Sequence, residues 1–383
     1  MRRVTLVILV CLVITLLPQP GQAVTVEGKS AVLMDAATGT VLLEQNAHEA
    51  LAPASVTKIM TMLLIMEAVD DGRIALTDTV TTSEAAAAKG GSQVYLKVGE
   101  TMSVEDMLKS IAVSSANDCA CAMAEHIAGS EAAFVEKMNE KAAELGMTDT
   151  HFVNCTGLDD SPEAASHRTS AMDIAIMSRV LLTHHPDIRS FTTIWMDTIR
   201  DGSFGLSNTN KLIRFYPGAT GLKTGYTSGA GYCLSATAER EGMELIAVVM
   251  GAETSQKRNA SCKQLLDYGF ANYALITPEL TEVEAVPVKL GVVSAVSPVS
   301  GESGQLLVEK SQKNQITTEV TLEEFLTAPV SQGQWLGTLT VKAGEQTIRQ
   351  IPLVAAQAVP RLTYRELFVR VLQKTAMGKE VDS

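Results

Sequence analysis

Strand-forming segments stand on both sides of a long helical block, and this order constrains the fold more than any other feature of the chain. Apolar runs at residues 31–34 and 41–43 flank a turn at residues 37–39 and predict a β-hairpin. Helical periodicity then dominates to about residue 190, and strands return beyond Pro217. We therefore predict an α+β fold in which helices flank an antiparallel sheet.

The strands beyond Pro217 are the part of this sheet that the sequence defines best. "GLKTGYTSGAGYCLSATAER" and "MELIAVVMGA" are joined by a turn at Glu241 and Gly242, and they predict an adjacent pair of strands. "SQKRNASCKQLLDYGFANY" follows with helical character. Helices are therefore expected both before and after the strands.

The composition changes again in the last third of the chain. Residues 278–359 are rich in Val, Thr and Gly and alternate in polarity, which predicts a small all-β domain. The segment "RLTYRELFVRVLQKTAMGK" then has helical periodicity. We predict four parts: a leader at 1–23, a main α+β domain at 24–276, a β-rich domain at 277–360 and an amphipathic tail at 361–383.

The first 23 residues have the layout of a secretory signal peptide. Two arginines precede an apolar run from Val4 to Leu17, and the small residue Ala23 ends the segment. The apolar run is shorter than the ~20 residues that a membrane-spanning helix needs, so cleavage is favoured over an uncleaved anchor. The chain is therefore expected to be secreted across the cytoplasmic membrane.

Charge and cysteine content exclude several classes of function. The formal charge of -12 argues against a nucleic-acid partner, because binding to phosphates needs a basic surface. Five cysteines lie beyond the leader, and an odd number at irregular spacing indicates small buried hydrophobes and not a disulfide framework. The histidine spacings match no zinc motif, so neither a metal nor another cofactor is expected.

The tail predicts an amphipathic helix with a basic character. Residues 361–379 hold one acidic residue, Glu366, and five basic ones, which leaves a charge of +4; the basic residues are Arg361, Arg365, Arg370, Lys374 and Lys379. The apolar residues on or near one face are Leu362, Leu367, Phe368, Val371 and Leu372. Such a helix suits an anionic membrane surface, and the alternative is a helix packed against its own protein.

The stretch "APASVTKIMTMLLIMEA" places Ser55 three residues before Lys58 at the start of a predicted helix. Side chains three residues apart on a helix share a face, so this spacing allows a hydrogen bond between hydroxyl and amine. A lysine with a lowered pKa can take the proton of a serine nucleophile. The pair alone is equally compatible with a helix-capping serine beside a solvated lysine.

Two further strings favour the catalytic interpretation. Ser115 and Asn117 offer a hydroxyl and an amide at a turn between helical segments. Lys223, Thr224 and Gly225 lie on a predicted strand, where the glycine leaves room for a ligand backbone to approach. Ser-x-x-Lys, Ser-x-Asn and Lys-Thr-Gly each occur once, in the order helix, turn, strand.

These strings resemble the signature of penicillin-binding proteins and class A β-lactamases, although Ala116 stands where that signature has Asp. With "APASVTKIMT", "SSAND" and "PGATGLKTGYTSGAGYC", the chain is most similar to the low-molecular-mass serine D-alanyl-D-alanine carboxypeptidases of bacteria. The resemblance covers about residues 24–275 and extends through the β-rich segment and the tail.

The resemblance implies a role for each residue of the three strings. Ser55 is the nucleophile and Lys58 its general base, while Ser115 passes a proton toward the leaving amine. Asn117 holds a backbone amide of the substrate. The resemblance also implies that Lys223 supplies a fixed positive charge and that Thr224 and Arg258 bind the terminal carboxylate of the substrate. Gly225 allows close approach to the strand. The main-chain N–H of Tyr226 joins that of Ser55 in an oxyanion hole.

The implied reaction is acyl transfer on a peptidoglycan stem peptide that ends in D-Ala-D-Ala. D-alanine leaves, water hydrolyses the acyl-enzyme, and β-lactams acylate the same serine as mimics of that terminus. The implied location is the outer face of the bacterial cytoplasmic membrane or the cell wall.

Three alternatives remain open within or beside this family. A class A β-lactamase needs a Glu-x-x-x-Asn string, but Glu163 is followed four residues later by His167. An endopeptidase acting on cross-links would use the same acyl-enzyme, and a non-catalytic wall-binding protein would keep only the fold. A Ser-His-Asp hydrolase is disfavoured, because the chain has no Gly-x-Ser-x-Gly string.

Overall fold

The computed structural model describes residues 24–376 except Glu279, Thr281, Glu282 and Ser303, with the backbone alone at 374–376. The predicted leader at 1–23 and Lys379 lie outside the described residues, as does the side chain of Lys374. The helices are α1 (Lys58–Asp70), α2 (Glu84–Ala87), α3 (Val104–Ser114), α4 (Asn117–Ala128), α5 (Glu131–Glu144), α6 (Ala171–His184), α7 (Arg189–Thr192), α8 (Leu212–Phe215), α9 (Ser255–Asn272) and α10 (Tyr364–Ala376).

Short 3-10 helices cover Ala54–Thr57, Pro162–Ser166, Pro186–Ile188 and Lys313–Gln315. The strands up to residue 276 are β1 (Ser30–Asp35), β2 (Val41–Gln45), β3 (Thr79–Thr81), β4 (Thr101–Ser103), β5 (Met196–Ile199), β6 (Phe204–Ser207), β7 (Ala219–Thr227), β8 (Gly231–Arg240), β9 (Met243–Ala252) and β10 (Tyr273–Ile276). Those that follow are β11 (Val286–Lys289), β12 (Ala295–Val296), β13 (Pro298–Ser300), β14 (Leu306–Glu309), β15 (Ile316–Leu322), β16 (Leu326–Thr327), β17 (Trp335–Ala343) and β18 (Gln346–Ala355).

A five-stranded antiparallel sheet in the order β2-β1-β9-β8-β7 forms the centre of the main domain. The N-terminal hairpin joins the later strands through β1 and β9, as the order of strand-forming segments predicts. Strand β9 is buried along nearly its whole length because helices cover both faces of the sheet. The predicted α+β fold is confirmed.

One sequence-based expectation is wrong in detail. The pattern at residues 221–240 predicts a single strand, but this segment lies within two strands, β7 and β8, which pair with each other. The turn between them contains Gly229 and leads into Gly231, whose φ of +68° favours glycine over residues with a Cβ. In the order of the sheet β7 is an edge strand, and the 3-10 helix Ala54–Thr57 packs against it.

Helices α1 and α6 pack on one face of the sheet, α3 and α4 pack against α1, and α9 packs on the other face of the sheet. Helix α1 is apolar nearly all round and its residues are buried from Lys58 to Met66, which is expected for a helix inside a domain. Ser103 caps the start of α3, because its Oγ accepts a hydrogen bond of 3.1 Å from the Asp106 N–H. All five described cysteines are buried and free.

The residues after β10 form β-sheets, as the composition predicts. A four-stranded sheet has the order β13-β18-β17-β15, and a three-stranded sheet has the order β12-β11-β16. Strand β10 pairs with β14, so one strand pair crosses the boundary that we predict at residue 276. Two small apolar cores lie among these strands.

The tail helix begins later than the apolar pattern suggests. It starts at Tyr364, so Leu362 precedes it and donates its N–H to the Leu290 carbonyl over 2.8 Å. Arg370 binds the carbonyl oxygens of Gly291 and Val292 at 3.1 and 2.9 Å and holds the helix against the β-rich domain. Among the described helices, none is long and apolar enough to cross a membrane.

Candidate active site

Ser55 lies in the 3-10 helix that leads into α1, and Lys58 is the first residue of α1. The Lys58 Nζ is 2.9 Å from the Ser55 Oγ, so the two groups are within hydrogen-bond distance. Lys58 is completely buried, and no side-chain cap bonds the start of either helix. The interpretation as a capping serine beside a solvated lysine is therefore wrong.

Burial changes the acid–base chemistry of Lys58. Loss of hydration lowers the pKa of its amine to about 7, and the nearby Cys155 and Asp118 oppose this shift. The Nζ also donates a hydrogen bond of 2.8 Å to the Thr156 carbonyl. A substantial fraction of the amine is neutral near pH 7, and in that form it can accept the Ser55 proton.

Ser115 and Asn117 connect α3 to α4 and carry free polar atoms. Ser115 has a φ of +63° and ends α3, and Asn117 begins α4. The Asn117 Nδ2 donates to the Gly90 carbonyl over 2.7 Å. The Ser115 Oγ and the Asn117 Oδ1 are buried and have no hydrogen-bond partner among the described residues. Because buried polar atoms are rarely left unpaired, these two are suited to a ligand.

Two further basic side chains are buried near the lysine of α1. Lys223 on β7 is 1% exposed and donates its Nζ to the Thr224 carbonyl over 3.0 Å, and Arg258 on α9 is 5% exposed. Burial lowers the pKa of Lys223 far below its usual range, and the charges of Lys58 and Arg258 add to this effect. In the described part of the chain, neither Lys223 nor Arg258 forms an ion pair.

Arg258 has only weak partners for its guanidinium. It donates to the Asn259 Oδ1 over 3.0 Å and to the Cys233 carbonyl over 3.4 Å, and its carbon Cζ lies 5.9 Å from the centre of the Tyr232 ring. Burying a positive charge without a counter-ion costs free energy. The site is therefore electrostatically suited to an anion such as a carboxylate, for which a guanidinium is a good partner.

Gly225 allows the edge strand to approach Ser55. A Cβ on Gly225 would lie 2.8 Å from the Pro53 carbonyl oxygen and 3.1 Å from the Ser55 nitrogen. The sequence predicts that the space at this glycine admits a ligand backbone, but it is the chain's own 3-10 helix that makes this close approach. The result is that the Ser55 N–H lies beside the strand segment that continues to Tyr226.

Tyr226 is exposed, and its ring stacks on Tyr232 with 4.3 Å between ring centres. Its ring therefore lies outside the buried cluster of cations. The role that the resemblance assigns to it depends only on its main-chain N–H.

Several residues of the site belong to no sequence motif from which they could have been predicted. Thr209 accepts a hydrogen bond of 2.7 Å from the Thr224 hydroxyl, and Thr156 contacts Lys58 through its main-chain carbonyl and not through its side chain.

Glu163, the residue considered for a β-lactamase role, is exposed in a 3-10 helix. Among the described residues, no group of three or more His, Cys, Asp or Glu could hold a metal ion.

The fold and this set of side chains define a class of proteins. A helix-borne Ser-x-x-Lys pair on one side of an antiparallel sheet, next to an edge strand with Lys-Thr-Gly, is the arrangement of penicillin-binding proteins and serine β-lactamases. Comparison with known proteins narrows this class.

Residues 18–254 match the model of the D-alanyl-D-alanine carboxypeptidase family, and residues 276–361 match the C-terminal domain of penicillin-binding protein 5. The chain is 44% identical to D-alanyl-D-alanine carboxypeptidase DacF of Bacillus subtilis over 91% of this chain and 89% of that protein. It is 35% identical to DacC of Escherichia coli over 89% and 86% of the two chains. The chain belongs to the D-alanyl-D-alanine carboxypeptidase family.

Solved structures agree with this assignment. Penicillin-binding protein 5 from Haemophilus influenzae has a TM-score of 0.76 at 30% identity, over 88% of this chain and 98% of that chain. Penicillin-binding protein D2 from Listeria monocytogenes, in an ampicillin-bound form, has a TM-score of 0.59 at 32% identity over 64% and 98%. The predicted activity, that of a serine-type D-Ala-D-Ala carboxypeptidase of the penicillin-binding type, is confirmed.

Proposed function

We propose that this carboxypeptidase acts through an acyl-enzyme on Ser55, with Lys58 as the general base. The observation that carries the proposal is the 2.9 Å contact between the Ser55 Oγ and an amine whose pKa burial lowers to about 7. Few surface lysines could accept a proton near neutral pH, because the usual pKa of a lysine is about 10.4. The substrate is a peptidoglycan stem peptide that ends in D-Ala-D-Ala.

In the first step the Ser55 Oγ attacks the carbonyl carbon between the last two D-alanines, and its proton moves to the Lys58 Nζ. The carbonyl oxygen becomes an oxyanion that the main-chain N–H groups of Ser55 and Tyr226 stabilise. The bond to the terminal D-alanine then breaks, and its amine takes the proton of Lys58 through the Ser115 hydroxyl, which leaves Lys58 neutral for the second step. Ser115 suits this role because its Oγ has no other partner among the described residues.

The terminal carboxylate of the substrate supplies the anion that the buried cations lack. Arg258 attracts it, its negative charge favours the protonated form of Lys223, and the Thr224 hydroxyl can turn from Thr209 to donate to it. Asn117 binds a backbone amide of the stem peptide, for which its Oδ1 is free within the described structure. Gly225 keeps the edge strand close enough to the nucleophile for one substrate to reach both.

In the second step water attacks the acyl-enzyme and Lys58 accepts its proton. The bond to the Ser55 Oγ then breaks, Lys58 returns the proton to that oxygen, and the shortened peptide leaves. A β-lactam is expected to acylate Ser55 in the same way. Its leaving amine stays attached to the acyl group, so the product cannot diffuse away as D-alanine does. A long-lived adduct is therefore expected, in contrast to the rapid turnover of a β-lactamase.

Ser115→Ala is expected to slow the hydrolysis of an amide substrate far more than that of an ester. An amine must be protonated to leave, and general acid catalysis is worth about 10²–10⁴-fold, whereas an alkoxide leaves more readily. The measurement is the release of D-alanine from a synthetic peptide ending in D-Ala-D-Ala and of D-lactate from its D-Ala-D-lactate analogue.

Ser110→Ala is the matched control, because Ser110 is buried on the same helix and its Oγ donates to the Asp106 carbonyl instead of facing a ligand. Equal losses on amide and ester would contradict the proton-transfer role of Ser115. If the wild-type chain released no D-alanine but cleaved cross-linked peptides, the preference would be that of an endopeptidase.

We also propose that the chain acts outside the cytoplasm and that α10 holds it on a membrane surface. Successive residues of a helix are about 100° apart, so Tyr364, Phe368 and Leu372 lie within about 80° of one another. These side chains are 95%, 65% and 51% exposed. Arg370, which binds the β-rich domain, is on the opposite side of the helix. The apolar side chains therefore face away from the protein, and neighbouring arginines suit anionic lipid.

Removal of the tail is expected to abolish binding to vesicles that contain phosphatidylglycerol. Burying an aromatic side chain contributes about 1.5–3 kcal/mol, so Phe368→Ser alone should weaken binding at least about tenfold. Flotation would compare the full chain, a chain ending at Val359, Phe368→Ser and the control Val320→Ser. Val320 is 38% exposed but lies on strand β15 and not on the tail helix. Equal flotation of all four proteins would refute the anchor.

A further inference from the structure

A buried chain of hydrogen bonds lies directly beneath the nucleophile. The His167 Nε2 is 2.9 Å from the Thr57 Oγ1, and the Thr57 Oγ1 donates to the Ala54 carbonyl over 2.9 Å. His167 is 3% exposed and Thr57 is fully buried. The chain of bonds therefore ends on the carbonyl of the peptide group whose nitrogen belongs to Ser55.

The neighbours of His167 decide its protonation. The main-chain N–H of Val153 donates to the Nδ1 over 3.3 Å, so Nδ1 must be unprotonated and Nε2 carries the hydrogen. Burial lowers the pKa of this imidazole to about 4, and the charges of His151 and Arg168 contribute to the shift. His167 is therefore a neutral donor to Thr57, and the Thr57 hydroxyl is left to donate to Ala54.

The Ala54 carbonyl also lies close to the loop at Gly157. Gly157 has a φ of +79°, and a Cβ there would lie 1.8 Å from the Ala54 carbonyl oxygen and 2.7 Å from the Thr57 Oγ1. Ala54 itself has a φ of +49°, which residues with a Cβ rarely adopt. The surroundings must stabilise this conformation, because it costs free energy by itself.

Fixing this carbonyl also fixes the direction of the Ser55 N–H. In a trans peptide the C=O and the N–H point in opposite directions, and the cis peptide bonds of the described chain lie elsewhere. In the Ala54–Ser55 peptide, the carbonyl oxygen lies next to Thr57 and Gly157. The nitrogen lies next to Gly225, where a Cβ would be 3.1 Å from the Ser55 nitrogen. The peptide plane is thus held between the loop at Gly157 and the edge strand.

We propose that His167 and Thr57 are positioning residues that aim the Ser55 N–H at the oxyanion of the transition state. The inference rests on the proposed role of Ser55 and extends it to two residues that touch no substrate. An oxyanion donor acts only when it points at the developing charge, and removal of one such donor costs about 10²–10³-fold in rate. Misdirecting the donor should cost at least about tenfold.

Thr57→Val tests the proposal with little change in side-chain volume. It removes the hydroxyl, so the Ala54 carbonyl loses its donor and the His167 Nε2–H loses its acceptor. We expect the limiting rate of acylation by penicillin to fall at least about tenfold, while the dissociation constant of the noncovalent complex changes less than about twofold. Thr57→Ser keeps a hydroxyl and should recover most of the lost rate.

Thr61→Val is the matched control for the loss of a buried hydrogen bond. Thr61 lies one turn further along α1, is fully buried, and donates its Oγ1 to the Cys155 carbonyl over 2.6 Å, not to Ala54. It should lose thermal stability comparably but acylate at nearly the wild-type rate. An equal loss of rate in Thr61→Val and Thr57→Val, or a wild-type rate in Thr57→Val, would overturn the proposal.

His167→Phe keeps an aromatic ring and removes both hydrogen bonds. If the two residues act on one carbonyl, combining His167→Phe with Thr57→Val should slow acylation no more than the slower single variant does. Losses that multiply would contradict a shared action. Failure of the proposed nucleophile is distinguishable, because it would move the penicillin adduct away from Ser55 in the wild-type chain, whereas failure of this inference would leave the adduct at Ser55.

Discussion

Lys58→Met is expected to lower the rate of acylation by penicillin, and of D-alanine release, by about 10³-fold or more. General base catalysis contributes about 10²–10⁴-fold, and the Ser55 hydroxyl has no second base among its hydrogen-bond partners in the described structure. Methionine fills a similar volume and suits the apolar interior around α1. The limiting rate of acylation, measured by rapid-mixing kinetics, checks this expectation.

The pH dependence of the wild-type rate should follow the same amine. The base form of Lys58 is needed, so acylation is expected to rise with pH through about 7, where burial places its pKa. Lys141→Met is the control, because Lys141 is ion-paired to Glu67 and Glu144 outside the site. A Lys58→Met enzyme that kept more than about a tenth of the rate would contradict the role as general base.

The same substitution should stabilise the fold. The pKa of Lys58 is lower in the folded chain than in the unfolded chain, so the unfolded state binds more protons between about pH 7 and 10.4. Stability therefore rises with pH across that range, and the cost of burying the charged amine is complete below about pH 7. Lys58→Met removes this cost, so loss of activity should coincide with a higher free energy of unfolding at neutral pH.

The sequence indicates candidate site residues more readily than the contacts between them. Three short strings nominated Ser55, Lys58, Ser115, Asn117 and Lys223 as candidate site residues, because each string combines polar groups that acyl transfer could use. The order of strands and helices likewise predicted the sheet, since β1 can pair with β9 only if the helical block lies across one face. Motifs and strand-forming segments are patterns of neighbouring residues, and a single sequence contains them.

Features that depend on distant segments were not predictable in the same way. His167 reaches Thr57 across 110 positions, and Thr156 meets Lys58 through a carbonyl that every residue type carries. The 3-10 helix that contains Ser55 comes close to Gly225 only because it packs against β7, and no local sequence pattern indicates this packing. The start of α10 differs from the apolar pattern because Leu362 continues the helical spacing although it pairs with Leu290.

Penicillin is expected to leave one acyl group on Ser55 and none on a Ser55→Ala chain. Within the described residues, the Ser55 hydroxyl is the side-chain oxygen in hydrogen-bond contact with the buried amine, so its loss removes the nucleophile completely. Ser103→Ala is a suitable control, because Ser103 caps a helix through its Oγ and should not affect labelling. We expect Ser103→Ala to lose about 1 kcal/mol of stability while it keeps the adduct.

Mass spectrometry of the intact chain and of its peptides after penicillin treatment tests this account most directly. The expected result is a mass increase equal to one penicillin molecule, located on the peptide that contains Ser55 and persisting for much longer than a catalytic turnover. An adduct on another residue, or one that forms equally on Ser55→Ala, would contradict the assignment of Ser55 as the nucleophile.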